Sequence, residues 1–99
     1  MTTLAAEILE SNVAPNIVSA AVTNDILIHA PVAQYPRLLH GNRKERENWR
    51  LISRGHGIHW EDLDEDISLD NLMMGRPSNE SRASLERWLD ARKTDSARM

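Results

Sequence analysis

The 99 residues, 40% apolar with three tryptophans, one tyrosine and no phenylalanine, describe one small domain with a modest core. The chain has no cysteine, which excludes a disulfide framework and thiolate-held metal and fits a reducing cytoplasmic compartment. The net charge of −3 gives no broad basic field of the kind a dedicated nucleic-acid binder carries, and no apolar run reaches the ~18–20 residues of a membrane span.

Residues 1–10 contain acids but no basic leader region, unlike a secretory signal. Thr3 is placed to cap a short helix over Leu4–Glu10, with Leu4 and Ile8 on one face. Ser11, Asn12 and Pro15 end it, so residues 1–14 read as an N-terminal helical segment. Ile17–Thr23 reads as a strand, Asn24-Asp25 as a two-residue turn whose side chains tolerate positive φ, and Ile26–His29 as the returning strand. Pro31 stops that strand because it offers no ladder N–H.

Val32–Leu39 predicts a helical turn interrupted by Pro36. Asn42 and Glu45 have the spacing of a capping box, which predicts a helix to about Ser53 with Trp49 and Ile52 on its inner face and Gly55 as its left-handed terminator. Gly57–Trp60 suits a third strand. Ser68 opens a short helix carrying Leu69, Leu72 and Met73, and Gly75 closes it. After the linker Arg76-Pro77-Ser78, Asn79 is placed to cap a last helix over residues 79–93, whose Leu85, Trp88 and Leu89 form an apolar stripe. Residues 94–99 read as a frayed polar tail. The expected architecture is a single α+β domain over residues 1–93. A small antiparallel hairpin or meander packs with several short helices and an amphipathic C-terminal helix.

Charge is unevenly spread. Residues 42–60 carry five basic and two acidic groups, whereas residues 61–71 carry six acids and no base. His56 and His59, next to Glu61, Asp62, Asp64, Glu65 and Asp66, form the densest set of metal-ligand types, but their spacing matches no known ion-binding loop. The acidic run instead suits solvent and the dipole of the helix beginning at Ser68. His29 and His40 have no neighbour that marks a nucleophile or an orienting partner, and there is no GxSxG, Gly-rich phosphate loop or HExxH. No catalytic residue, metal site or cofactor is expected. Trp49 and Trp60 are expected in the core.

The middle of the chain resembles the domain-of-unknown-function family 2442. The likeness rests on Tyr35-Pro36-Arg37-Leu38-Leu39, on Glu45-Arg46 with Asn48-Trp49-Arg50-Leu51-Ile52, on Gly57-Ile58-His59-Trp60, and on Leu63-Asp64-Glu65-Asp66-Ile67-Ser68 followed by Leu72 and Gly75. The segment from Ser81 through Leu85 and Trp88 to Arg92 is similar to the last helix of many members. The resemblance implies a small α+β domain with an N-terminal antiparallel meander. It also implies a bacterial setting in which members are encoded beside a second small protein, as in toxin–antitoxin pairs. It supplies no catalytic residues. The chain departs from the family pattern at Gln34, usually aromatic, at Glu61, usually proline, and in its short strand–turn–strand region.

The expected function is therefore a non-catalytic, antitoxin-like protein-binding module that sequesters a small toxin-like partner, through Leu85, Trp88, Leu89 and Arg92 and with the acidic segment facing a basic protein. The alternative is a DNA-associated regulatory module that uses Arg43, Lys44, Arg46 and Arg50 on the basic helix 43–54. A second copy of the chain is a further candidate partner.

Overall fold

The computed structural model describes residues 6–97, with side chains through Lys93. The chain opens with three strands, β1 (Ile8–Val13), β2 (Ile17–Val22) and β3 (Ile26–Pro31), in an antiparallel meander of order β1-β2-β3. The first of these corrects the helix expected over Leu4–Glu10 and the helical segment 1–14. Ile8–Glu10 begin a strand, and Thr3 and Leu4 lie outside the described residues. A four-residue spacing of apolar side chains fits one helical turn and two strand alternations equally, so Leu4 and Ile8 could not separate the two. Pairing with β2 decides it. A bulge between Ile8 and Glu10 shifts the alternation, so that both Ile8 and Ser11 face inward. Asn24 and Asp25 adopt φ of 66° and 61° in the turn before β3, as expected.

Pro31 leads into a single 3₁₀ turn at Val32–Gln34, then α1 (Pro36–His40) with Pro36 in its first turn, then α2 (Arg43–Glu47). The capping box is formed. Asn42 Oδ1 accepts the Glu45 N–H at 2.8 Å, and the Asn42 N–H donates to Glu45 Oε1 at 2.9 Å. The helix ends at Glu47 rather than Ser53, because Trp49–Ile52 form β4. Gly55 has the expected positive φ, 85°, but in the turn from β4 to β5 (Gly57–Trp60). A Cβ there would lie 3.2 Å from the Ile8 carbonyl oxygen, so Gly55 also permits close approach to β1.

The acidic run is only partly solvated. Glu61–Leu63 make a 3₁₀ turn, and Glu65–Ser68 form β6, which completes a second antiparallel meander of order β4-β5-β6. Ser68 caps α3 (Leu69–Met74), and Gly75 ends it in the left-handed conformation, both as expected. The final helix, α4, spans Arg82–Ala97 rather than 79–93. Ser81, not Asn79, supplies the capping oxygen, accepting the Ser84 N–H at 3.1 Å, and the helix continues into the expected tail as far as Ala97. The domain is thus α+β, with two three-stranded sheets where one hairpin or meander was foreseen.

Both sheets feed one core. Val18, Ala20 and Val22 of β2 meet Ile58 and Trp60 of β5, Ile67 of β6, Leu38 of α1, and Leu69 and Leu72 of α3. Trp60 is fully buried, and its indole N–H donates to the Arg46 carbonyl at 3.0 Å. That bond ties the second sheet to α2 without leaving a buried donor unpaired. Trp49 packs against the same core while partly exposed. Trp60→Ala is expected to cost about 3–5 kcal/mol through the cavity it opens, enough to unfold most of a small domain, and denaturant melts check it.

Candidate functional site

α1 places Arg37 one residue after the proline that starts the helix, facing the segment that leads into α4. Its guanidinium is mostly buried and uses nearly all its donors. Nε donates to Glu80 Oε1 at 2.9 Å, Nη2 to Glu80 Oε2 at 2.6 Å, and Nη1 to the carbonyls of Leu63 and Asp64 at 3.1 and 3.2 Å. The same group lies 5.0 Å from the Trp88 ring centroid. Arg92, one turn on, lies 4.7 Å from that centroid and forks onto Glu45 with two contacts of 2.9 Å. Glu45 is the capping-box residue of α2, so one carboxylate both caps a helix and anchors α4. Arg46 and Arg92 donate to the Leu38, Leu39 and His40 carbonyls, where a positive charge complements the C-terminus of α1. These pairs hold the Glu80 and Glu45 carboxyls below their usual range and the two arginines above theirs.

Beside this clamp lies an open cleft of about 400 Å³ between Tyr35, Arg37 and β6 on one side and the Pro77–Ser84 segment on the other. Glu65 is its unusual group. One carboxyl oxygen accepts the Asp66 N–H at 3.2 Å, while the other is buried without a hydrogen-bond partner among the described residues. Burial, ahead of every other influence, pushes this carboxyl up to about 7. The Asp66 N–H and then Arg37 pull against that shift, and the charges of Glu80 and Asp66 reinforce it. Burial also raises the Tyr35 hydroxyl, with the Glu65 charge as a second cause. A strongly perturbed carboxyl in a concave site is a recognised mark of function.

The predicted site residues are divided by the fold. Trp88 packs against its own core, and Leu85 and Leu89 are half-buried beside it. Arg92 is committed to Glu45. Arg43 and Lys44 project to solvent from α2, Arg43 pairing with Glu47 at 3.0 Å. Arg46 turns inward, and Arg50 on β4 sits 3.5 Å from Glu61. The basic residues therefore do not share one helical face. His59 is largely buried and bonds Asp66 across the β5–β6 pair, while His56 bonds the Ser53 carbonyl. His29 is paired with Ser19 at 2.9 Å. Among the described residues, no three such side chains converge to hold a metal ion. The sequence reads Glu45 only as a helix cap, Glu65 only as one acid of a candidate metal-ligand set and Arg37 only through the family resemblance, and it gives Glu80 no role. The partners of Arg37 and Arg92 lie 43 and 47 residues away, beyond the reach of any local pattern.

The family model for the proteins of unknown function DUF2442 matches residues 15–78. No curated protein matches the chain. The crystal structure of a protein of unknown function from Rhodospirillum rubrum is similar, with a TM-score of 0.66 and 22% identity over 80% of this chain and 95% of that one. The solution structure of an uncharacterized protein from Chromobacterium violaceum is also similar, with a TM-score of 0.64 and 17% identity over 82% of this chain and 75% of that one. At these identities the likeness establishes the fold alone.

Two outcomes are expected of the site. The Glu65 carboxyl ionises near 7 in the folded chain against ~4.3 unfolded, so it weakens the fold increasingly as pH rises between those values and by a constant amount above them. Glu65→Gln should therefore stabilise the protein at pH 8, on the order of 1 kcal/mol because the open cleft screens the charge, and leave stability at pH 4 unchanged in paired melts. Arg37→Ala strands the Glu80 carboxylate and removes one cation from Trp88. It should cost about 2–4 kcal/mol and shift the Trp88 indole N–H resonance.

Proposed function

This chain belongs to the DUF2442 family, and we propose that it is a non-catalytic protein-binding module, the antitoxin-like member of a two-protein pair that sequesters a small basic protein. One observation carries the reading. The Glu65 carboxyl lines an open cleft with one buried oxygen unpaired among the described residues, and the exposed carboxylates of Asp64 and Asp66 stand beside it. A lysine or arginine side chain from outside would supply the missing donor and the counter-charge together. Electrostatic complementarity of this kind speeds encounter and selects partners by sign. The contact surface then moves from Trp88, which packs on the domain, and the half-buried Leu85 and Leu89 beside it, to the acidic rim. On this reading the pair works in the cytoplasm, where a cysteine-free chain needs no oxidising compartment. No helix among the described residues is long and apolar enough to cross a membrane.

The test is capture from the native host, with recovered proteins identified by mass spectrometry. The wild-type chain should retain one small basic protein that elutes with salt, and the Asp64→Lys, Asp66→Lys double variant should lose it. Both positions are largely exposed, but the Asp66 carboxylate also bonds His59, so loss of capture counts only if the double variant melts as the wild type does. Undiminished capture by the double variant would remove the acidic rim from the reading. Salt-dependent retention on DNA, lost on replacing Arg43 and Lys44, would favour the regulatory alternative instead.

A further inference from the structure

The two edges of the first sheet are treated differently. β1 is protected: it carries the bulge at Ile8/Glu10, and α2, β4 and β5 lie against it. β3 pairs with β2 through six unbroken positions and has no strand on its other side among the described residues. Ile26–Pro31 contains no Asp, Glu, Lys or Arg and no bulge; α3 packs beside it, and Pro31 guards the far end. Soluble monomers normally blunt such an edge with lysine, a bulge or a covering element.

The apolar side chains around this edge are exposed. Ile26 and Leu27 on β3 are 46% and 65% accessible, and Met73 and Met74 on α3 are 56% and 63%. Together they line a groove of about 500 Å³ along the strand, and no residue lining it is charged. The backbone is oriented for pairing. The Val32 N–H donates to the Asn16 carbonyl at 2.9 Å, and antiparallel ladders alternate, so the N–H and C=O of Leu27 and His29 turn to the open side.

We propose that this edge is a homodimer seam, in which β3 pairs antiparallel with β3 of a second copy about a two-fold axis at Ile28. In that register Leu27 of each copy faces His29 of the other, and the outward groups of both residues pair. Ile26 lies opposite the second copy's Ala30, which covers an inward-facing side chain that its own chain leaves half open. Asp25 falls opposite the second copy's Pro31, so no acid meets an acid, although the chain as a whole carries −3. The seam is isologous, as a two-fold contact requires.

The area sets its strength. A Leu, Ile or Met side chain carries on the order of 100 Å² of apolar surface, so four half-exposed ones contribute roughly 200 Å² per copy. A standard interface needs about 800 Å² per partner. Counted over both copies the patch gives roughly 400 Å² against a standard total of about 1,600 Å², so the seam rests chiefly on the main-chain hydrogen bonds of the paired strands. The dimer is therefore weak and populates at high protein concentration.

Sedimentation equilibrium from micromolar to millimolar protein tests this, together with amide exchange at both ends of that range. The weight-average mass should rise from 11.3 kDa toward twice that value. The Leu27 and His29 amides should exchange more slowly as concentration rises, while Ile28 and Ala30 stay unchanged. Leu27→Lys, on a side chain already mostly in water, should weaken association by about tenfold or more by burying an ammonium at the seam, and Met74→Asp should act in the same direction. A protein that stays monomeric throughout overturns the seam. So does association indifferent to Leu27→Lys, and so does a dimer whose Leu27 and His29 amides gain no protection.

Discussion

Arg37 ties together four separate parts of the chain. From the first turn of α1 it reaches the Leu63 and Asp64 carbonyls, the Glu80 carboxylate ahead of α4, and the Trp88 ring on α4. Each of those elements is weak alone. α1 is five residues long, and α4 has a narrow apolar stripe and depends on packing for its order. A planar cation with five donors joins them because it can bond in its plane and stack on its face at once. Arg92 repeats the arrangement lower on α4, with Glu45 in place of Glu80. Because both pairs are mostly shielded from water, they contribute more than the surface pairs at Arg43–Glu47 or Arg82–Glu86.

The same clamp also creates a costly place. By drawing Glu80 toward the domain, Arg37 sets a second carboxylate near Glu65, which burial already disfavours as an anion. Glu65 has no full partner of its own, since Arg37 is spent on Glu80 and on two carbonyls. Core stability would be better served by an apolar or amide side chain there. A locally unfavourable group held in an open cleft is where a fold most often departs from consistent packing in favour of binding. The apolar edge at β3 is a second departure, on a different surface and of a different chemistry.

How far each element was legible depends on how local its signal is. The Asn24-Asp25 turn, the Asn42–Glu45 box and the Ser68–Gly75 helix each rest on side chains within a few residues of the backbone groups they satisfy, and all three form as read. The strand β1 was mistaken for helix because Leu4 and Ile8 fit both periods. β4 was mistaken for the end of α2 because nothing within Trp49–Ile52 competes with helix strongly enough. Both segments are strands because β2 and β5 offer ladder partners. β6 was hidden by its acids: Glu65 and Asp66 are poor strand formers, held there by pairing with Trp60 and His59.

By itself, then, the sequence determined the α+β class, the family, the absence of a disulfide framework, and three local features: the Asn24-Asp25 turn, the Asn42–Glu45 box and the Ser68–Gly75 helix with its cap and stop. Only the tertiary structure decided the second sheet, the inward turn of Trp88, and the meeting of Arg37 with Glu80 and of Arg92 with Glu45 across 43 and 47 residues. It also decided that Glu65, one acid among six in its segment, is the one buried without a full partner. The reason is physical. A cap is satisfied within one turn of backbone, whereas a charge pair, a ladder and a desolvated carboxyl each depend on what the rest of the chain brings alongside them.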